Sequence, residues 1–197
     1  MTWVKICGVT HESHVDAAVE GGADAIGLVC WPGSPRNIEP GDAAGLVAHA
    51  TVPVYLLTVD MASSTTLGLA ERLGVSGIQP YGVEAPVTAV MGASAGLDVI
   101  TPTTPEAVPS IPAGQRPLVD SGSAKRPGGT GIVRDWPTIP QLEGEWILAG
   151  GLTPDNVNQA ISQTGAWGVD ASSGLEVERG VKSPALIERF LREVKGQ

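Results

Sequence analysis

The chain has 197 residues, 42% of them hydrophobic, which suits a single domain with a sizeable core. Its formal net charge is −9 and it carries no long basic block, which argues against nucleic acid as a partner, because phosphate-backbone binding needs clustered lysine and arginine. No apolar run approaches the ~20 residues of a membrane span, and no charged segment followed by a long apolar one opens the sequence. Two cysteines, Cys7 and Cys30, show no zinc-like spacing, and a reducing compartment disfavours a disulfide between them. The expectation is a soluble, cytoplasmic protein with neither membrane nor nucleic-acid partners. A small anionic ligand is admissible if local donors overcome the overall field.

Apolar strand-like runs alternate with helix-like runs along the whole chain. Strands are expected over 2–8, 25–30, 53–59, 76–80, 97–101, 116–120, 145–149 and 166–171. Helices are expected over 12–22, 40–50, 64–74, 84–93, weakly over 105–110, then 135–142, 154–164 and 183–195. Such alternation implies a parallel sheet with helical crossovers, and eight repeats suggest a closed (β/α)8 TIM barrel spanning 1–197 as one α/β domain. The length is low for that fold, so helices and loops must be short. Thr101 to Gly114 carries five prolines or glycines, so the fifth helix is weak or missing. An open doubly wound sheet is the competing architecture.

In strand 1, alternation puts Lys5, Cys7 and Val9 on one face and Val4, Ile6 and Gly8 on the other. The second set suits a helix layer. The first sets an ammonium beside a thiol, and a buried lysine needs a partner. Helix 12–22 has an apolar face of Val15, Ala18 and Val19 and ends at Gly21-Gly22. His11 and His14 flank its start without a third metal ligand and read as solvated surface residues; His49 reads as a helix-end residue. No metal site is expected.

Strand 2 opens into Trp31-Pro32-Gly33-Ser34-Pro35-Arg36, a loop on the C-terminal face where active sites of such barrels lie. Arg36 is either an exposed loop residue or a binder of carboxylate or phosphate. Strand 3 reads as structural. Strand 4 ends in Gln79-Pro80-Tyr81-Gly82, where Tyr81 either packs or reaches a ligand. Strand 6 ends in Asp120, a rim carboxylate or a solvated turn, followed by Gly128-Gly129-Thr130-Gly131, whose backbone amides can approach an anion. Strand 7 ends at Gly150-Gly151, ahead of Thr153 as N-cap and Pro154 as first helical residue. Strand 8 runs through Asp170 into Ser172-Ser173-Gly174. Loops after strands 7 and 8 form the recurring phosphate site of such barrels, so a phosphorylated small molecule is the expected ligand. Closure would make strands 1 and 8 neighbours and Asp170 the partner Lys5 requires.

Taken in order, these pieces resemble the phosphoribosylanthranilate isomerase family of tryptophan biosynthesis nearly end to end. The resemblance rests on Lys5-Ile6-Cys7-Gly8-Val9-Thr10, Gly22-Ala23-Asp24-Ala25-Ile26-Gly27 with Ser34-Pro35-Arg36, and Leu118-Val119-Asp120-Ser121. It continues through Gly128-Gly129-Thr130-Gly131, Leu148-Ala149-Gly150-Gly151-Leu152-Thr153-Pro154, Val169-Asp170-Ala171-Ser172-Ser173-Gly174-Leu175-Glu176 and Gly180-Val181-Lys182. It implies an Amadori rearrangement of N-(5-phosphoribosyl)anthranilate, with Cys7 as general base and Asp120 as general acid and no cofactor. It further implies that Arg36 contacts the anthranilate part and that Gly131, Gly150, Gly151, Ser172 and Ser173 hold the phosphate. Free thiols titrate near ~8.5 and aspartates near ~3.9, so each group is expected to be shifted toward neutrality, Cys7 by Lys5 and Asp120 by burial and phosphate. Tyr81 stands where the family commonly has histidine, and Cys30 where it often has an aromatic, which leaves the substrate contacts at strands 2 and 4 open. The competing readings are a bifunctional isomerase that also serves histidine biosynthesis, whose relatives use an aspartate at the Cys7 place, and a non-catalytic phosphosugar binder. A Schiff-base aldolase would need a lysine nearer the substrate than Lys5. The sequence does not distinguish a monomer from a homodimer.

Overall fold

The computed structural model describes residues 1–120 and 136–196. Eight parallel strands close on themselves in chain order: β1 (Trp3–Cys7), β2 (Ala25–Cys30), β3 (Val54–Val59), β4 (Gly77–Tyr81), β5 (Asp98–Thr103), β6 (Gln115–Asp120), β7 (Ile147–Ala149) and β8 (Gly168–Ala171). The seam is β1 against β8, with Lys5 opposite Asp170. β2 is buried at every residue. That is the signature of a parallel strand covered on both faces, and explains its unbroken apolar run.

Helices α1 (Glu12–Glu20), α2 (Pro40–His49), α3 (Ser63–Leu73), α4 (Ala85–Ser94), α5 (Val157–Thr164) and α6 (Pro184–Lys195) surround the barrel. α6 shows how sequence dictates one of them. Ser183 caps it by accepting from the Leu186 amide, Pro184 sits in the first turn, and Ile187, Phe190, Leu191 and Val194 recur at helical spacing on the buried side. Lys195 at its end donates to Thr2 O and Asp24 Oδ2, tying the helix back to the start of β1.

Two apolar regions result. Val4, Ile6, Leu28, Leu56, Ile78 and Val169 face the helices, together with the inner sides of α1, α5 and α6. Ala25, Tyr55, Ile100, Leu118 and Ile147 fill the lower barrel, where Trp3 stacks on Trp167 at 5.5 Å and Arg116 lies 5.8 Å from the Trp167 ring. This aromatic plug blocks the N-terminal mouth and leaves the C-terminal mouth open for a site.

Several local expectations need correction. Val9 does not share a face with Lys5 and Cys7; it is buried in the helix-facing layer. β1 stops at Cys7, and Gly8 at φ +74° breaks the alternation. His14 is buried rather than solvated, whereas His11 is exposed and caps α1 by accepting from the Ser13 amide. α5 begins at Val157 rather than 154, because Asn156 receives the Thr153 amide on its side chain and donates to Gly151 O, holding 154–156 as a turn. The fifth connection is a 3-10 helix, Pro105–Ser110, as its prolines suggested. The sixth is shorter than the expected helix: the described part of 135–142 holds one 3-10 turn, Trp136–Thr138, and Pro137 and Pro140 both lack an amide proton.

A hairpin absent from the expected elements follows β8. A 3-10 turn (Ser173–Leu175) leads into β9 (Glu176–Glu178) and antiparallel β10 (Val181–Lys182). Gly174 lets this segment reach the β7 loop, since a methyl there would lie only 1.9 Å from Leu152 O. Backbone cannot yield as a side-chain tip can. Gly174→Ala is therefore expected to cost about 1–3 kcal/mol or more, read as a lower midpoint in urea unfolding with an unchanged slope.

Candidate active site

The C-terminal mouth holds a cavity open to solvent. Strand ends supply its walls. β1 contributes Cys7, β4 Gln79 and Tyr81, β6 Asp120, and β8 Asp170, with Ser172 and Ser173 just beyond. Gly150 and Gly151 enter from the β7 loop, and Ser34 and Arg36 from the β2 loop. The remaining side is apolar: Val29, Trp31, Leu57 and Val59. β3 is thus more than structural, contributing two of these four. Of the residues singled out from the sequence, Lys5 lies beneath the cavity rather than on its wall, and Gly131 lies outside the described residues.

The floor is built on charge. Lys5 is fully buried, and its ammonium stands 2.9 Å from Asp170 Oδ1. The distance is that of an ion pair, but the angle falls short of a hydrogen bond. Burial alone would lower the Lys5 pKa; Asp170 and Cys7 outweigh it and hold it above the ordinary value, so lysine stays charged. Gly27, opposite Cys7 in the ladder, makes room for both groups. A methyl there would lie 3.0 Å from Cys7 Sγ and 3.3 Å from Lys5 Nζ.

The thiol departs from expectation in direction. Burial pushes the Cys7 pKa up, Asp170 adds to it, and the opposing pull of Lys5 and Lys182 does not overcome them. The resting state is therefore thiol, ammonium and carboxylate in one stack. Tyr81 is driven well above the ordinary phenol value, first by burial and then by Asp120, Asp170 and Cys7, so it stays protonated. Gln79 Nε2 donates to its hydroxyl at 3.0 Å.

Arg36 is neither exposed nor unattached. It is buried, and Nε and Nη2 donate to the two carboxylate oxygens of Glu176 at 2.5 and 2.9 Å. This fork fixes the plane of the guanidinium at the cavity wall. Gly8 permits the approach, because a methyl at that position would lie 2.6 Å from Arg36 Cδ. Burial would raise the Glu176 pKa, but Arg36, the Gly180 amide and Lys182 together hold it low.

Glu176, Lys182 and Gln79 carry this arrangement, yet residue reading alone did not mark them. Glu176 and Lys182 stood only inside longer matching motifs, on a hairpin whose pairing has no strong local signal. Gln79 showed a weak one: a polar residue inside an apolar strand end.

A family model described as N-(5'phosphoribosyl)anthranilate (PRA) isomerase matches residues 4–193. The N-(5'-phosphoribosyl)anthranilate isomerase of Chromohalobacter salexigens is 38% identical, over 98% of this chain and 94% of the relative. The crystal structure of TrpF from Jonesia denitrificans superposes with a TM-score of 0.85 at 36% identity, covering 100% of this chain and 98% of that one. A phosphoribosyl anthranilate isomerase solved with reduced 1-(o-carboxyphenylamino)-1-deoxyribulose 5-phosphate gives a TM-score of 0.82 at 27% identity, with both chains covered in full.

The ion pair makes a clear energetic demand. Asp170→Asn leaves a buried ammonium without its counter-charge and is expected to destabilise the fold by about 3–5 kcal/mol in denaturant unfolding. Replacing both groups, Lys5→Met with Asp170→Asn, is expected to recover most of that loss. If the double variant is no more stable than Asp170→Asn alone, the ion-pair account fails.

Proposed function

The chain belongs to the N-(5'-phosphoribosyl)anthranilate isomerase family, aldose–ketose isomerases of tryptophan biosynthesis, and on that premise we propose how its own residues perform the reaction. Cys7 is the general base and Asp120 the general acid. The observation that carries this assignment is their presence on one cavity, at the ends of β1 and β6, with an apolar wall to one side and glycine- and serine-rich loops to the other. The apolar wall of Val29, Trp31, Leu57 and Val59 suits the anthranilate ring, and Arg36 and Tyr81 its polar edge. Gly150, Gly151, Ser172 and Ser173 take the phosphate, with Gly131 assigned to the same role on sequence grounds. These groups fix a small, flexible substrate in a reactive pose.

The steps follow from acid–base chemistry. Asp120, protonated, gives its proton to the ribose ring oxygen. The C1′–O bond breaks as the anthranilate nitrogen lone pair forms the C=N bond of an iminium. Cys7 thiolate removes the proton from C2′, and the C–H electrons become a C1′=C2′ double bond as the C=N pair returns to nitrogen. The resulting enolamine gains a proton at C1′ and loses the one on its C2′ hydroxyl, giving the aminoketose. Cys7 gives up the proton it took, matching the one gained at C1′, and Asp120 regains a proton, matching the one lost from the C2′ hydroxyl, so both groups are reset and no atom is gained or lost. Tyr81, as a protonated donor held by Gln79, keeps its character across neutral pH. A cytoplasmic setting agrees with two unpaired cysteines, one of them the proposed base.

Two measurements test the assignment. Cys7→Ser and Asp120→Asn are each expected to lower kcat by about 10²–10⁴-fold while the product analogue still binds, read by fluorescence turnover and calorimetry. Retained turnover in both variants would overturn the pair. Because the base form is the thiolate and the Cys7 pKa is raised, kcat/KM in the unsubstituted enzyme should climb with pH along its acid limb. The climb should continue past the ordinary free-thiol value of ~8.5 unless loss of the acid's proton intervenes. Serine at position 7 should remove that limb.

A further inference from the structure

We propose that Lys182 is a positioning residue for the substrate phosphate: from beneath the β8 loop it turns the Ser172–Ser173 peptide toward the cavity and supplies the site's surplus positive charge. The inference rests on the phosphate assignment made above and extends it to a residue that does not line the cavity.

The geometry begins with one carbonyl. Lys182 has a fully buried ammonium, and Nζ donates to Ser172 O at 3.1 Å. The same oxygen accepts from the Leu175 amide at 3.1 Å. Peptide bonds among the described residues are trans, so a carbonyl and the following amide point in opposite directions. With Ser172 O pinned inward to Lys182, the Ser173 amide faces the other way, and Ser173 lines the cavity. Backbone amides aimed into a concavity are how loops bind phosphate.

The charges around Lys182 act in the same direction. Lys182 Nζ lies 3.5 Å from Glu176 Oε1, and Arg36 holds the same carboxylate with two bonds. Two buried cations thus share one carboxylate, leaving a formal charge of +1. The neighbouring Lys5–Asp170 pair is balanced and contributes none. In a chain of net charge −9, a buried local surplus is what draws a dianion to this mouth and away from the rest of the surface. Burial costs the Lys182 ammonium, pushing its pKa down, with Arg36 adding to that and Glu176 and Cys7 opposing it. A bound phosphate would relieve the cost.

His14 braces the lysine from behind. Its Nδ1 accepts from the Thr10 amide at 3.4 Å, and Lys182 lies near enough to act on its charge. Burial first, then Lys182 and His11, hold its pKa below the ordinary value, so it stays neutral and adds no further charge. The β1 loop, the hairpin and the β8 loop therefore meet at Lys182.

The test separates charge from shape. Glutamine at this position keeps a donor for Ser172 O but carries no charge; arginine keeps the charge. In the unsubstituted enzyme, inorganic phosphate should inhibit competitively. Lys182→Gln should raise both its inhibition constant and the substrate KM by roughly tenfold, a larger change than in kcat, and Lys182→Arg should recover most of that loss. Unchanged phosphate inhibition in the Gln variant, or equal impairment in the Gln and Arg variants, would overturn the proposal. Absence of phosphate inhibition in the unsubstituted enzyme would instead overturn the phosphate assignment itself. A second measurement needs no substitution: the Lys182 side chain, titrated by NMR, should shift its midpoint upward by about 1 pH unit or more when phosphate saturates the site. An unmoved midpoint contradicts the proposal even if the variants do not fold.

Discussion

The structure depends on one buried ion pair. Lys5 and Asp170 stand opposite each other across the β1–β8 junction where the sheet closes, with their charges facing inward. An ammonium in that place is tolerable only beside a carboxylate, and the reverse holds equally. The pair therefore favours the register that brings it together, since a one-residue slip would turn each strand's inward set outward. Below it, the Trp3–Trp167 stack closes off the N-terminal end. Above it stands Cys7, whose ionisation answers directly to both charges.

Around that floor the mouth divides into two electrostatic halves. One contains Lys5, Asp170 and Cys7, where the two charges pull the thiol in opposite directions and burial decides the outcome in its favour. The other contains Arg36, Glu176 and Lys182, where cations outnumber carboxylates. Proton abstraction is proposed for the balanced half and anion binding for the surplus half. The β9–β10 hairpin carries both Glu176 and Lys182, so a short segment after the last barrel strand organises the half proposed to bind the anion. Close approach in these places is made by glycine: Gly8 against Arg36, Gly27 against Cys7 and Lys5, Gly174 against the β7 loop. The Lys5-Ile6-Cys7-Gly8 run thus combines a counter-charged lysine, a layer of apolar packing, a thiol and a space for an arginine from the next loop.

Much of this was legible in the sequence, for identifiable reasons. The eight-fold alternation gave the barrel, because parallel strands buried on both faces leave unbroken apolar runs. Lys5 announced a partner because a buried cation must have one, and closure named Asp170. Other features were hidden because they arise from tertiary contact. Nothing in Ser34-Pro35-Arg36 shows that the guanidinium will be bound by Glu176 from a distant hairpin. Val9 followed strand alternation on paper, but a positive-φ glycine redirected it. His14 looked solvated because it flanks the helix start with no third metal ligand in reach, yet it is buried, with Lys182 of the returning hairpin nearby. The sixth helix was overread from its apolar residues, although Pro137 and Pro140 argued against it. The direction of the thiol's shift is not legible either: proximity of Lys5 suggests a lowered pKa, whereas burial and Asp170 outweigh it.

The most direct test of the central claim is the ionisation of Cys7 in the free, unsubstituted enzyme. Alkylation by iodoacetamide, followed across neutral to alkaline pH and resolved by mass spectrometry of the Cys7 peptide, reads it without turnover and without interference from Cys30. If burial and Asp170 outweigh Lys5, the rate at Cys7 will keep rising beyond the ordinary free-thiol midpoint of ~8.5. A rate that levels off at or below neutrality would mean that the lysine dominates, that a resting thiolate sits over the ion pair, and that the balance of charges described here is wrong.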